Sequence, residues 1–209
     1  MPWSRTQMAE RLAREFQDGW VVNLGVGMPT LITDVPMGEK EIIFHAENGV
    51  IGFGPVAPEG QEDIHTVDAS RRYVTLPPGA AIVDHADSFA LIRGGRIDVT
   101  VLGSYEAAAN RDFANWKVKG AKGGVIGGAM DLATCAKNVF IMMEHRTRDG
   151  ASRMLSECSL PVTARGMVKL VVTELGLFEP TGSAFKVRDL APGVTIEEVR
   201  AATAAPVEA

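Results

Sequence analysis

The chain has 209 residues, of which 46% are hydrophobic and 22% are charged, as is typical of a folded globular domain rather than a disordered or fibrous chain. Its formal net charge of −5 gives it no overall attraction to a phosphate backbone, which disfavours nucleic-acid binding. An anionic ligand would need a local site lined by basic side chains or backbone amides.

The first predicted element is an amphipathic helix. Ser4 and Gln7 form an S-x-x-Q capping box, and apolar residues then recur every four positions as far as Phe16. Gly19 predicts the end of this helix. The segment lacks the apolar stretch of a signal peptide, and no run approaches the ~20 apolar residues of a membrane span, so no membrane association is expected.

Short apolar runs along the chain predict buried strands. They are residues 20–24, 41–44, 80–83, 97–102, 138–143 and 170–173. Helices are predicted at residues 84–93 and after a second capping box formed by Thr195 and Glu198. This alternation predicts one α/β domain over residues 1–209, with an open, largely parallel sheet and helices on both faces. Residues 204–209 are predicted to be a disordered tail.

The first candidate site is a glycine-rich loop that follows the predicted strand 41–44 and contains Glu47. Sites in open α/β sheets collect at the carboxyl ends of strands. Asn48 and Gly49 favour a tight turn because both tolerate positive φ, and the nearby glycines leave bare backbone that an acyl group could approach. Turn chemistry alone would also explain this loop as a surface turn with an ordinary exposed glutamate.

The second candidate site is the loop at residues 117–131, which contains five glycines and three lysines ahead of a possible helix start. Its bare amides could donate hydrogen bonds to an oxyanion, and its lysines could meet phosphates. Taken alone, the composition of this loop favours a flexible, solvated basic segment.

Other kinds of site are disfavoured. Gly25 and Gly27 begin a G-x-G pattern that lacks the third glycine of a dinucleotide fingerprint. The four histidines show no i, i+4 pair, so no metal site is predicted. Cys135 and Cys158 form no CxxC motif, which favours free thiols and a cytoplasmic location.

Several ordered motifs resemble those of the β subunits of family I coenzyme A transferases, of the succinyl-CoA:3-oxoacid and 3-oxoadipate type. They are residues 23–30 (N-L-G-V-G-M-P-T), 47–55 (E-N-G-V-I-G-F-G-P), 88–95 (S-F-A-L-I-R-G-G), 114–116 (A-N-W), 127–132 (G-G-A-M-D-L), 143–145 (M-E-H) and 158–161 (C-S-L-P). The resemblance covers nearly the whole chain. It implies the open α/β fold that these transferases share with sugar-phosphate isomerases.

The resemblance also implies an activity. The enzyme would move coenzyme A between an acyl-CoA, such as succinyl-CoA, and a 3-oxo acid, with Glu47 as the nucleophile and a covalent glutamyl-CoA thioester as intermediate. The Gly128 amide would donate to the oxyanion, beside Gly127 in the binding site. Asn23 would lie near the glutamate and orient it.

Further implications concern ligands and partners. Asn48 and Gly49 would belong to the substrate site, and Arg71, at a family lysine position, would contact the site or the coenzyme A. Coenzyme A would be a substrate, with no bound cofactor. A homologous α subunit would complete a heterodimer or an α2β2 assembly in the cytoplasm.

The chain departs from the family pattern at several positions. Ala46 replaces the usual serine before the glutamate, residues 111–113 replace G-[DN]-L, and residues 119–126 keep little of P-G-K-x-V-x-G-M. These changes leave the substrate open. A CoA-thioester hydrolase or ring-opening enzyme of the same fold, and a non-catalytic partner subunit, remain alternatives.

Overall fold

The computed structural model describes residues 1–209. The strands are β1 (Val21–Leu24), β2 (Ile43–His45), β3 (Val50–Ile51), β4 (Ala81–Ile82), β5 (Val99–Leu102), β6 (Glu106–Ala108), β7 (Phe113–Ala114), β8 (Asn138–Met142), β9 (Met154–Leu155), β10 (Val168–Thr173), β11 (Gly176–Pro180), β12 (Phe185–Leu190) and β13 (Val207–Glu208). The helices are α1 (Arg5–Ala13), α2 (His85–Arg93), α3 (Ala129–Cys135) and α4 (Ile196–Ala202), with a 3₁₀ helix at Met28–Asp34. No helix is both long and apolar enough to cross a bilayer.

Ten strands form the main sheet, in the order β13-β12-β11-β10-β8-β5-β1-β2-β3-β4. The five central strands, from β10 to β2, are parallel to their neighbours, and antiparallel pairs flank them on both sides. A second sheet has the order β7-β6-β9. The predicted open, largely parallel α/β architecture is confirmed.

Helices cover both faces of the main sheet. Strand β8 shows this by alternation, since neighbouring side chains of a strand point to opposite faces. Phe140 packs in the same apolar cluster as Met8 of α1. Ile141 packs in the other cluster, with Phe89 of α2 and Leu132 of α3.

The predicted helix starts are present as capped termini. Ser4 and Gln7 form a reciprocal capping box at α1, as Thr195 and Glu198 do at α4. At α2, the Asp84 side chain accepts hydrogen bonds from two backbone N–H groups of the first turn. These caps satisfy amides that a helix leaves without partners.

Three sequence predictions differ from the structure. Helix α1 ends at Ala13 rather than near Gly19, because the backbone tightens into 3₁₀-type bonds after it. The prediction of a buried strand is wrong for β4, because β4 is the edge strand and Ile82 is 61% exposed. Residues 204–209 are not a disordered tail, because β13 pairs with β12 and the Phe185 N–H donates to the Pro206 carbonyl.

Candidate active site

A cavity of about 540 Å³ lies at the carboxyl ends of the parallel strands β1, β5 and β8. Its walls include Gly25 after β1, Gly103 after β5 and Met142 at the end of β8. Within the sheet, β2 lies next to β1 on one side, and β5 lies next to β1 on the other side. The cavity therefore occupies the topological switch point, where ligand sites of open α/β sheets form.

Glu47 reaches this cavity from a tight turn between β2 and β3. The Gly49 N–H donates to the Ala46 carbonyl at 2.9 Å, and Gly49 has φ of +111°, as the Asn48-Gly49 pattern predicts. The Gly49 carbonyl accepts from the Val83 N–H at 2.9 Å, and a Cβ built on Gly49 would lie 2.1 Å from the Val83 oxygen. The turn is thus fixed against the segment that leads into α2.

The Glu47 carboxylate packs against the bare backbone of Gly128. A Cβ built on Gly128 would lie 2.2 Å from Glu47 Oε2 and 2.8 Å from Phe89 Cζ, so no other residue fits there without displacing its neighbours. Gly128 is the N-cap of α3, and its N–H donates no hydrogen bond within the chain. Gly127 precedes it with φ of +54° and lines the same cavity. The structure thereby brings the two predicted glycine-rich loops together.

Two opposing effects act on the Glu47 carboxyl. Burial raises the pKa of Glu47, and the positive field of His85 partly offsets this rise. His85 is the first residue of α2, and its ring lies 4.6 Å from the ring of Phe89. A partly desolvated carboxylate is a better nucleophile than a hydrated one.

A buried polar network supports the strand from which Glu47 projects. The Asn23 amide nitrogen lies 3.0 Å from His45 Nδ1 and 3.3 Å from the His45 carbonyl oxygen. The Asn23 oxygen accepts from the Thr100 hydroxyl at 2.9 Å, and His45 Nε2 lies 3.1 Å from Ser88 Oγ. Because the amide donates to Nδ1, His45 carries its proton on Nε2, and burial lowers the pKa of His45 to about 4. Asn23 can therefore orient Glu47 only through the end of β2.

Four of the seven predicted site residues do not line the cavity: Asn23 and Gly49, described above, and Asn48 and Arg71. Asn48 is exposed, and its amide donates to the Val67 carbonyl at 2.8 Å, which ties the turn to the following loop. Arg71 is exposed with φ of +61° and makes no side-chain hydrogen bond or ion pair. The side chain of Arg71 does not line the cavity that Glu47 lines.

Several residues around the site are absent from the site residues predicted from the sequence. Thr100 lies in an unbroken β-branched run, and nothing in that run marks one polar residue as a network member. Ser88 and His45 stand inside or beside matched motifs, which could have signalled them, whereas Arg153 in the cavity wall belongs to none. No group of three or more His, Cys, Asp or Glu side chains is placed to hold a metal ion.

The fold and site can be compared with known proteins. The family model described as Coenzyme A transferase matches residues 5–202. The B subunit of the 3-oxoadipate CoA-transferase of Pseudomonas putida is 41% identical over 206 residues, which is 98% of this chain and 96% of that protein. The B subunit of the succinyl-CoA:3-ketoacid coenzyme A transferase of Helicobacter pylori is 42% identical over 206 residues, or 98% of each chain.

A solved structure extends the comparison to the fold. The apoenzyme of an acyl-CoA transferase from Escherichia coli O157:H7 matches with a TM-score of 0.77 and 20% identity. The match covers 99% of this chain and 42% of that chain. At this identity the likeness supports the architecture alone.

Proposed function

This chain belongs to the coenzyme A transferase family, and we infer from that membership that it is the B subunit of an enzyme transferring coenzyme A between an acyl-CoA and a 3-oxo acid. The B-subunit relatives named for 3-oxoadipate and for succinyl-CoA with a 3-ketoacid support this substrate class. Coenzyme A is then a substrate and not a resident cofactor.

The observation that carries the proposal is the position of the Glu47 carboxylate. It packs on the bare Cα of Gly128, beside an N–H without an acceptor, at the switch point of the sheet. A carboxylate nucleophile needs a partly desolvated position and a donor for the oxyanion that forms on its target. An ordinary surface glutamate has no need of either.

The proposed reaction conserves one negative charge at every step. A Glu47 oxygen attacks the thioester carbonyl carbon, the C–S bond breaks, and coenzyme A leaves as a thiolate from an acyl-glutamyl anhydride. The thiolate then attacks the Glu47 carbonyl of the anhydride and releases the first carboxylate product. An incoming 3-oxo acid carboxylate repeats both steps in reverse on the glutamyl-CoA thioester, which returns Glu47 as a free carboxylate.

The surrounding residues supply position and charge stabilisation in this proposal. The Gly128 amide donates to the oxyanion, and binding energy from the remote coenzyme A arm offsets the cost of desolvating Glu47. Asn48 and Gly49 shape the turn that presents the nucleophile. Arg71, exposed and unpaired, remains a proposed contact for the coenzyme A phosphates, which its position outside the cavity permits.

Completion of the enzyme requires a homologous α subunit. The relatives are named as B subunits, which supports such a partner, in a heterodimer or an α2β2 assembly. A cytoplasmic location is proposed on the ground that neither Cys135 nor Cys158 forms a disulfide.

The test is to trap the covalent intermediate in the complex of this chain with its α subunit. Incubation with succinyl-CoA and hydroxylamine should convert Glu47 to a hydroxamate that peptide mass spectrometry locates. Glu47→Gln should abolish both labelling and transfer, whereas Glu59→Gln, at an exposed loop glutamate, should leave both unchanged.

Two results would contradict the proposal. Transfer of coenzyme A without any label at Glu47 would exclude this nucleophile. Hydrolysis of the thioester without a carboxylate acceptor, at the same rate as transfer with one, would identify a hydrolase on the same scaffold. A transferase must instead protect its intermediate from water.

A further inference from the structure

The cavity that contains the nucleophile holds one positive charge. Among the side chains that line it, only Glu47 and Arg153 are charged. Most of the remaining wall is apolar or bare backbone, with Leu102, Leu132 and Met142 among its side chains. A guanidinium in such a wall has a strong preference for an anionic partner, because its charge is only partly solvated.

Arg153 is held rigidly at its backbone and is free at its side chain. Its N–H donates to the His145 carbonyl at 2.9 Å, and its own carbonyl accepts from the Ala107 N–H at 2.9 Å. The next residue, Met154, begins β9 and is fully buried. The half-buried Arg153 side chain makes no ion pair and no hydrogen bond, so its five N–H donors are available to a ligand.

Two other polar side chains of the wall are already engaged. The Asn115 amide donates to the Gly103 carbonyl at 3.1 Å, and its oxygen accepts from the Thr163 hydroxyl at 2.8 Å. The Ser104 hydroxyl points to two backbone carbonyls, at 2.6 and 2.9 Å. Tyr105 also lines the wall, but its hydroxyl is neutral, so Arg153 is the only cationic side chain that the wall offers to an anion.

Arg153 stands apart from the reacting carboxylate. It forms no ion pair with Glu47, although both side chains line the same cavity. The carbonyl under attack must lie against Glu47 and Gly128. A group that pairs with Arg153 is therefore a different part of the same ligand, and the apolar side chains of the wall suit methylene groups.

We propose that Arg153 binds the remote carboxylate of a dicarboxylic acyl group and so makes the enzyme selective for dicarboxylic over monocarboxylic acyl-CoA substrates. A planar guanidinium matches a carboxylate with two parallel hydrogen bonds, which gives both affinity and orientation. This inference rests on the proposed transferase function for its substrates, but the binding of a dicarboxylate can be measured without turnover.

The kinetic test compares two four-carbon donors, succinyl-CoA and butyryl-CoA, in the complex with the α subunit. Arg153→Gln should lower kcat/KM for succinyl-CoA by ~10- to 100-fold, the usual worth of a charge-assisted hydrogen bond. The same variant should change kcat/KM for butyryl-CoA less than about threefold, which also reports that it folds. Arg153→Lys should recover part of the loss, and Arg148→Gln, at an exposed arginine without an ion pair, should match the wild type.

The binding test uses succinate and butyrate themselves, titrated into the complex by calorimetry. Succinate should bind the wild type more tightly than Arg153→Gln, and butyrate should not distinguish them. An equal loss with both donors would show that Arg153 acts on the reacting carboxylate or on the fold, and no loss with either would also overturn the proposal. If the wild type bound succinate through Arg153 yet transferred no coenzyme A, the transferase function would fail while this inference stood.

Discussion

Gly128→Ala tests the packing that places the carboxylate of Glu47, the proposed nucleophile. Real Cβ atoms essentially never approach a non-bonded heavy atom within 3.0 Å, and the added methyl carbon would lie 2.2 Å from Glu47 Oε2. The carboxylate must therefore retreat by at least about 0.8 Å, the gap between these two distances. Phe89 Cζ, at 2.8 Å, must also shift slightly.

The displacement should affect catalysis far more than stability. A misplacement of ~1 Å at a reacting group can cost on the order of 10²-fold in rate, so kcat/KM for transfer should fall by about that factor. The Glu47 carboxylate is the end of a flexible side chain and can move at little cost. Gly128 has φ of −85°, which alanine adopts without strain. The entropic gain from alanine of ~0.4–1 kcal/mol roughly offsets the poorer N-cap, so the free energy of unfolding should change by less than ~1 kcal/mol.

The assay is the rate of 3-oxo acid-dependent coenzyme A transfer, measured beside urea unfolding of the same complex. Gly123→Ala is the matched control, because a Cβ there meets nothing within 4 Å and the residue has no positive φ. It should leave both quantities unchanged. Activity of Gly128→Ala within threefold of the wild type would refute the argument that this contact positions the proposed nucleophile.

Three further predictions concern charge. Because burial raises the pKa of Glu47, its ionised form destabilises the folded chain as pH rises through that pKa. Glu47→Gln should therefore be at least as stable as the wild type at pH 7, and the difference should vanish below the ordinary pKa of 4.5. A clear loss of stability of Glu47→Gln at pH 7 in urea unfolding would contradict this. His85→Gln should raise the pKa of Glu47 further and move the acidic limb of the pH profile of kcat/KM to higher pH, whereas the exposed His65→Gln control should leave the limb in place. Burial lowers the pKa values of His45 and His145 from 6.5 to about 4, so both stabilise the fold while neutral. The free energy of unfolding should fall between about pH 6.5 and pH 4 by up to roughly 3 kcal/mol for each histidine, and a flat profile in urea titrations would refute it.

The sequence predicts features that depend on local chemistry. The capping boxes at Ser4 and Thr195, the buried central strands and the Asn-Gly turn after β2 all follow from residues within a few positions of each other. The exposure of Ile82 does not, because an apolar run does not reveal whether its strand lies at the centre or at the edge of a sheet. Two-residue strands such as β9 are too short to show any periodicity.

The details of the site lie beyond local pattern because they depend on register between distant segments. Glu47 meets Gly128 only because β2 and the start of α3 reach the same edge of the sheet. The link from Asn23 to His45 and Thr100 needs three neighbouring strands in one register. A shift of one residue in any of them would turn these side chains to the other face. The family resemblance implies that Asn23 and Gly128 lie near Glu47, but it does not predict the hydrogen bonds that join Asn23 to His45 and Thr100.

The charge requirements of the proposed reaction account for what surrounds the nucleophile. Each step passes one negative charge between a carboxylate and a thiolate, and no proton is transferred, so a general base is unnecessary. His45, the histidine nearest to Glu47 in sequence, would be a weak base, because burial lowers its pKa to about 4 and both ring nitrogens are engaged in hydrogen bonds. The site instead offers a free amide at Gly128, which stabilises a negative charge without accepting a proton. Stabilisation of the Glu47 carboxylate must remain moderate, since a cation that held it tightly would make it a weaker nucleophile. This is a physical reason for Arg153, the one guanidinium of the cavity, to form no ion pair with Glu47.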